Sequence, residues 1–582
     1  MCSGYGVPPG RRSPRCAWGW GVAWDAGLPH KTLLEPPNAG TAEPFRVSPP
    51  EAVAYSLELL QAVAALDEAT LQQGLRHLVE AELVYQRGLP PQATYMFKHA
   101  LIQDAAYQSL LRRTRQQYHQ RIAQVLAAQF PETVETQPEL LAHHYTEAGL
   151  SPQAISYWQR AGERAIQYSA HVEAISHLTK GLEVLKTLVD SPERFQHELA
   201  IQTSLGLALI ATKGYAAPEV EKAYARAREL CRQMGETPWL FPVLRGLWLF
   251  HFVGAELHIA YELGEQLLTL GQSEEDPAFL LEAHRAMGTT LFWLGQFPQA
   301  RAHLEQGIDL YDPQQSRSLI ALYGQDPRVT CLGYTAWVLW VLGYPDQAMK
   351  KSHEALALAQ ELSHPFSLAF ALVWTAQVRR FRRDGQATQE LAEAVIALSH
   401  EQGFTQRLAE AMIQRGWALA EQGQREEGST QIRQGLAAFR ATGANVGLPH
   451  NLAMLAETRV KGKQIDEGLS VLAEALAIAN SGGVHWYEPE LYRLKGESLL
   501  EFSAEQHAAA EACFRQALDI ARQKQAKSCE LRAAMSLARL WQQQGKRAEA
   551  CELLAPVYGW FTEGFDTADL QDAKALLEAL GA

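Results

Sequence analysis

The sequence predicts an all-α chain: a right-handed solenoid of paired antiparallel helices, preceded by a small mixed module and a disordered leader. Three observations carry that prediction. A pattern of small and large apolar residues recurs about every 40 residues from residue 137 onward. Proline is concentrated in the first fifty residues, where it forbids helix. Between these regions, helical spacing over 52–130 is interrupted by one short hairpin pattern.

Composition sets the frame. The 582 residues are 47% hydrophobic and 20% charged, which excludes wholesale disorder. Lys and Arg number 52 against 65 Asp and Glu, and the net charge of −13 argues against a large nucleic-acid footprint or a polybasic membrane surface. The 7 cysteines (Cys2, Cys16, Cys231, Cys331, Cys513, Cys529, Cys551) are scattered and never form CxxC, which is reduced usage. The longest uncharged apolar run, 329–345, is about 17 residues, and a bilayer requires roughly 20. Arg11, Arg12 and Arg15 stand among Pro and Gly with no apolar run behind them, so no signal-peptide layout is present and a cytoplasmic location is expected.

The leader, 1–50, holds nine of the 27 prolines and reads as coil. A mis-assigned start explains it more simply than a docking peptide, though neither accounts for Trp18, Trp20 and Trp24.

In 52–130, Leu59, Leu60, Val63 and Leu66 make one short helix face. Leu71, Leu75, Leu78 and Val79 make a second, with Asp67 or Thr70 as its cap. Two strands beginning at Leu83 and Tyr95 flank a turn at Gly88, and a helix follows through His99, Ile102, Ala106 and Leu110. Helix, helix, hairpin, helix is a winged-helix arrangement. As a DNA reader it is weak. The basic cluster Arg112, Arg113, Arg115, His119 and Arg121 lies outside the candidate recognition helix, 69–82, where Glu80 and Glu82 oppose Arg76 and His77. An interdomain packing module is the better reading.

The repeat region, 137–565, keeps a fixed beat. Its clearest copy is Gly288, Leu291, Gly295, Ala300, Leu304, Gly307. The small anchors are Gly206, Gly246, Gly288, Ala336, Ala376, Gly416, Ala456, Gly496 and Ala538. Apolar residues three and four apart share one helix face. A glycine between the halves ends the first helix, and small residues at the crossing let two helices approach closely. This is the helix hairpin of a tetratricopeptide (TPR) repeat, lengthened from the usual step of about 34. The step from 288 to 336 is stretched by a polar excursion at 312–326, and the unit at Ala376 is the weakest, with its glycine at Gly385. Asp566 or Thr567 caps a last helix over 566–582 that covers the exposed edge of the array.

Sites for chemistry are missing. Gly462-Lys463 and Gly545-Lys546 lack the rest of a phosphate loop. HExxH, GxSxG and calcium loops do not occur, and His143 and His144 have no third ligand at metal spacing. Neither catalytic, metal nor cofactor residues are expected, and the chain is read as non-enzymatic.

Six runs resemble one family: 97–107 (FKHALIQDAAY), 138–145 (PELLAHHY), 154–162 (AISYWQRAG), 213–221 (KGYAAPEVE), 342–348 (LGYPDQA) and 558–566 (YGWFTEGFD). They are similar to the winged-helix and maltose-regulator-like TPR region of bacterial STAND-type signalling ATPases, often fused behind a class III adenylate/guanylate cyclase. The resemblance covers roughly 52–582. It implies a sensor arm that binds a ligand or partner and controls oligomerisation of the ATPase. The family's cyclase domain and phosphate loop have no counterpart in this sequence, so neither activity carries over, and the chain looks like the sensor half of a split or truncated gene.

The leading expectation is therefore a sensor that binds a partner protein or small effector in the concave groove formed by the first helix of each pair. Inner-face positions lie one and four residues after each anchor and three before it. They hold Phe250, Arg285, Phe292 with Trp293 beside it, Trp337, Trp340, Arg380 and Trp417, the residue types that recognition grooves favour. Two alternatives remain: a sensor subunit completing a separately encoded ATPase or cyclase, and a winged-helix transcriptional regulator.

Overall fold

A computed structural model describes residues 55–581, except 65, 236–238 and 275; the leader lies outside the described residues. Among the described residues there are 28 α-helices and one three-stranded sheet, and no helix is long and apolar enough to cross a membrane. The five cysteines described are free. The chain divides into two compact units, one formed by the residues up to Ala161 together with His177–His197, the other by Gly162–Ser176 and the residues from Glu198 onward.

The first unit opens with strand β1 (Tyr55–Ser56), helix α1 (Leu57–Val63) and helix α2 (Glu68–Glu80). Strands β2 (Val84–Arg87) and β3 (Thr94–Phe97) form the hairpin, and β1 pairs antiparallel with β3 through Tyr55 and Tyr95, giving the order β1-β3-β2. Asp67, not Thr70, caps α2: Oδ1 accepts the Thr70 N–H at 3.0 Å and Oδ2 the Thr70 hydroxyl at 2.7 Å. Leu59, Leu60, Val63, Leu71 and Leu75 are buried, but α1 stops at Val63 and leaves Leu66 exposed. Helices α3 (Ala100–Gln108) and α4 (Arg112–Gln129) follow. The basic cluster is dismantled here. His119 is buried, Arg115 stacks on Tyr107 at 5.1 Å and Arg121 donates to the Ala64 carbonyl, so only Arg112 and Arg113 are exposed.

The second unit is an all-α, TPR-like solenoid. First helices Leu240–Val253, Pro277–Trp293, Pro327–Leu342, Pro365–Phe381, Thr405–Glu421, Leu448–Lys461, Glu488–Phe502 and Lys527–Gln543 each pair with the helix that follows. The anchors explain the close crossings. A Cβ on Gly416 would meet the Gly428 carbonyl oxygen at 2.7 Å, and one on Gly428 would meet the Gly416 oxygen at 2.4 Å. Only two glycines allow that approach.

Gly295, Gly343, Gly423 and Gly545 end their helices at positive φ, as the pattern requires. In the weak unit the left-handed residue is Arg383 (φ 64), and Gly385 instead begins the next helix. The excursion at 312–326 contains a short helix, Ser316–Tyr323, whose Leu319 and Tyr323 are buried. At the C-terminus the last helix is Ala568–Leu580, packed through Leu570, Leu576 and Leu577 on Leu531 and Leu554. Thr567 precedes it without capping, because its hydroxyl donates to the Gly564 carbonyl at 2.6 Å. Asp566 turns away to Arg382, 184 residues earlier.

That last contact belongs to a series. The Val253 carbonyl accepts the N–H groups of Asn445 and Val446 at 2.9 and 3.1 Å, and the Trp293 carbonyl accepts that of His485 at 2.9 Å. Ser528 donates to the Trp340 carbonyl, 188 residues away, and Thr405 to that of Thr212, 193 residues away. Each carbonyl lies at a helix C-terminus, where intrahelical donors run out. The solenoid winds back on itself after about five repeats, and its inner faces meet.

Candidate functional site

The inner wall carries a continuous aromatic cluster. Trp337 stacks on Trp374 with centroids 4.1 Å apart and planes 20° apart, and on its other side lies Trp486 at 5.8 Å and 23°. Phe292 and Trp293 reach Trp486 at 5.0 and 5.6 Å. The indole N–H groups find partners within the cluster: Trp293 donates to the Tyr334 hydroxyl at 3.1 Å, Trp337 to the Trp374 carbonyl at 3.2 Å and Trp248 to the Thr290 hydroxyl at 3.0 Å. Trp486 Nε1 is buried without a partner.

Beside this cluster is a cavity of about 80 Å³. Trp248, Trp293, Tyr334, Trp337, Phe370 and Trp374 form its apolar side, and Arg285, Gln377, Gln406, Arg407, Glu410, Gln414, His450 and Asn451 its polar side. A single water needs ~10–15 Å³, so the space takes several waters or one small organic molecule.

Electrostatics inside the wall are tight. Arg285 Nε donates to Glu282 Oε2 at 2.8 Å, and Arg245 shares the same carboxylate at 3.5 Å. Burial pushes the Glu282 carboxyl up, and the two guanidiniums reverse that and hold it below its ordinary range. Arg407 Nη1 is 2.8 Å from Glu410 Oε2, inside ion-pair range yet out of line for a hydrogen bond. Here burial wins over the guanidinium, and the Glu410 carboxyl is pushed up. His450 is pushed well down by burial and by Arg380, whose Nη2 lies 2.9 Å from its Nε2, so its imidazole is neutral. Arg407 Nε and Gln414 Oε1 are buried without partners. Gln414 keeps its Nε2 on the Val373 carbonyl at 3.2 Å.

The eight groove residues read from the sequence do not line an open groove, because winding closes the concave side. Arg285, Trp293 and Trp337 line the cavity. Phe292 is fully buried among aromatic rings, and Trp340 stacks on Phe381 at 5.6 Å. Arg380 lies over Trp417 at 5.6 Å, and Trp417 donates to Glu457 at 3.3 Å. Phe250 is half-buried, at 5.3 Å from the His251 ring. Sequence reasoning passed over Gln377, one residue after its anchor, by weighing only aromatic and arginine side chains. It passed over Arg407, Glu410 and Trp486 because they sit before or within the first two turns of their helices, ahead of the positions counted from each anchor, and only the winding brings those turns inward.

In the first unit, His119 Nδ1 lies 2.8 Å from His144 Nδ1 and His119 Nε2 lies 3.0 Å from the Tyr107 hydroxyl, with the His143 ring 5.7 Å from His119. Burial pushes His119 and His143 down to about 4. Among the described residues no group of three or more His, Cys, Asp or Glu side chains is placed to hold a metal ion.

No protein-family profile matches the chain. It is 25% identical over 506 residues to an uncharacterized protein of Rhizobium meliloti (strain 1021), which covers 86% of this chain and 49% of that protein, so the chain spans about half the length of the curated relative it matches. Among solved structures, a Rap protein complexed with Competence and Sporulation Factor is 13% identical with TM-score 0.48, covering 64% of this chain and 99% of that one. The Cut9–Hcn1 hetero-tetramer of APC/C is 10% identical with TM-score 0.45, covering 90% and 96%. The chain is thus similar at low identity to one longer bacterial protein and to helical-repeat structures.

Proposed function

We propose that this chain is a non-catalytic sensor whose repeat unit takes up a small effector in its interior and passes the occupied state to a signalling ATPase or cyclase partner. The observation that carries the reading is the cavity: it joins an aromatic wall to buried polar atoms that no protein group satisfies. Such atoms cost free energy when empty and reward a ligand that completes them. A cavity of about 80 Å³ favours a small effector over a partner protein in the groove. The downstream ATPase or cyclase rests on the six resembling runs alone.

The module at 52–130 is read as winged-helix-like and as a packing element. With two exposed arginines remaining from its basic cluster, a low-salt DNA titration is expected to be flat.

Uptake is tested by native mass spectrometry of the full chain after exposure to the small-molecule extract of its own host and desalting. A discrete small adduct that disappears on denaturation supports the reading. The bare mass alone overturns it.

A further inference from the structure

The contacts that cross the winding fall into two chemically different stretches. From Thr212 to Trp293, helix-end carbonyls accept from neutral donors: the Thr405 hydroxyl and the N–H groups of Asn445, Val446 and His485. From Trp340 onward, charge takes over. Arg382 pairs with Asp566 at 2.6 Å and lies 3.7 Å from Asp346, and Arg383 pairs with Asp572 at 2.8 Å. Lys527 sits over the Trp560 ring at 5.4 Å. The side chains of Asp346 and Asp566 are 55% and 70% exposed, so salt reaches this stretch.

A helix cap built across the winding completes it. The first intrahelical bond of Pro345–Leu362 runs from the Ala348 N–H to the Tyr344 carbonyl, so Asp346 and Gln347 find no backbone acceptor within their own helix. Both donate to Glu563 Oε1, at 3.0 and 3.1 Å, and Gln347 Nε2 donates to Oε2 at 3.0 Å. Asp346 returns the bond by accepting the Gly564 N–H at 3.0 Å. This is a reciprocal cap whose halves lie 217 residues apart. A carboxylate at a helix N-terminus also gains from the helix dipole, and salt screens that gain.

We propose that the charged stretch is a latch: it parts as one unit while the neutral stretch stays wound, so the last repeat, 527–580, has a docked and a released position. The Ser528 bond to the Trp340 carbonyl and the Arg532 bond to that of Phe381, at 2.9 Å, break with it. Release frees the N-terminus of Pro345–Leu362 and the Trp560 and Phe561 rings, which now cover Gly343 so closely that a Cβ there would meet them at 2.6 and 3.2 Å. The surface offered by the last repeat therefore differs between the two positions. The hinge lies between His485 and Lys527, in the hairpin Glu488–Phe502 and His507–Gln523, whose turn is widened by the 3₁₀ segment Ala504–Gln506. The latch goes beyond the uptake reading and does not rest on it.

The test is hydrogen exchange of the full chain, read residue by residue by mass spectrometry. Asp346 and Gln347 report directly, because their N–H groups bond to Glu563. Between about 0.1 M and about 1 M KCl the screening length falls from ~10 to ~3 Å, and exchange at these two amides and at Gly564 is expected to rise together by about tenfold. Val446 and His485, in the neutral stretch, are expected to change by less than about twofold. Glu563→Gln, which keeps the shape and removes the charge, is expected to exchange in low salt as the wild type does in high salt. Asp566→Asn is expected to move the same way and serves if the first variant loses its helical circular dichroism. Urea below the unfolding range is expected to speed the three latch amides further, since parting exposes surface. Exchange at Asp346 and Gln347 that ignores salt overturns the latch. A salt response that ignores urea is fraying of one helix end and overturns it too, and an equal response at Val446 and His485 makes the whole winding one unit, with no separate latch.

Discussion

Trp337 shows how one residue's meaning changes between sequence and structure. Its position on the inner face is legible from the anchor at Ala336, but its sandwich between Trp374 and Trp486 is not, because Trp486 arrives from a repeat well over a hundred residues away. Trp337→Ala is therefore expected to cost ~3–5 kcal/mol of stability, as large core truncations do, and thermal melting will show it. A surface-groove residue would leave the melt unchanged. The histidines of the first unit give a second expectation. His119 and His143 are held near 4 by burial, against about 6.5 in an unfolded chain. The unfolded state binds their protons first, so this contribution to stability is complete above about pH 6.5 and is lost as pH falls toward 4. Melting at pH 5 is expected to be lower than at pH 7.5, and His119→Gln is expected to reduce the difference.

Individual helices were the most legible part of the sequence. The glycine at the crossing, the glycine at the turn and the 40-residue step all correspond to packed hairpins, since each rule is local to two helices. Gly416→Ala tests the crossing. Its Cβ would meet backbone at 2.7 Å, so a loss of ~1–3 kcal/mol is expected, opposite in sign to the gain of up to ~1 kcal/mol that alanine brings to an ordinary helix. Where a turn lacked glycine the pattern misled, as at Arg383. Lys463 (φ 62) is a comparable site. Lys463→Gly is expected to stabilise by up to ~1 kcal/mol in chemical denaturation, because it relieves a left-handed side chain and gives up only an exposed pair with Glu501.

At the scale of the whole repeat unit, local rules stop informing. Nothing in a hairpin pattern states how many repeats complete a turn, so an open groove is the natural expectation, and the packing instead produces an aromatic interior around a small cavity. Two of the family-resembling runs, 342–348 and 558–566, prove to be one contact in that winding. Glu563 accepts the N–H groups of Asp346 and Gln347 at 3.0 and 3.1 Å, while Asp346 accepts that of Gly564 at 3.0 Å. Gly564 has φ +74, and a Cβ there would lie 2.0 Å from Pro345. Gly564→Ala is expected to loosen the winding, lowering the melting temperature while leaving helical circular dichroism intact. The central claim is that the wound interior holds a small molecule. A high-resolution crystal structure of the chain purified from its own host tests it most directly. The account expects non-water density between Arg407, Gln414 and the Trp337–Trp374 pair; an interior holding only ordered waters, or collapsed with no cavity, would contradict it.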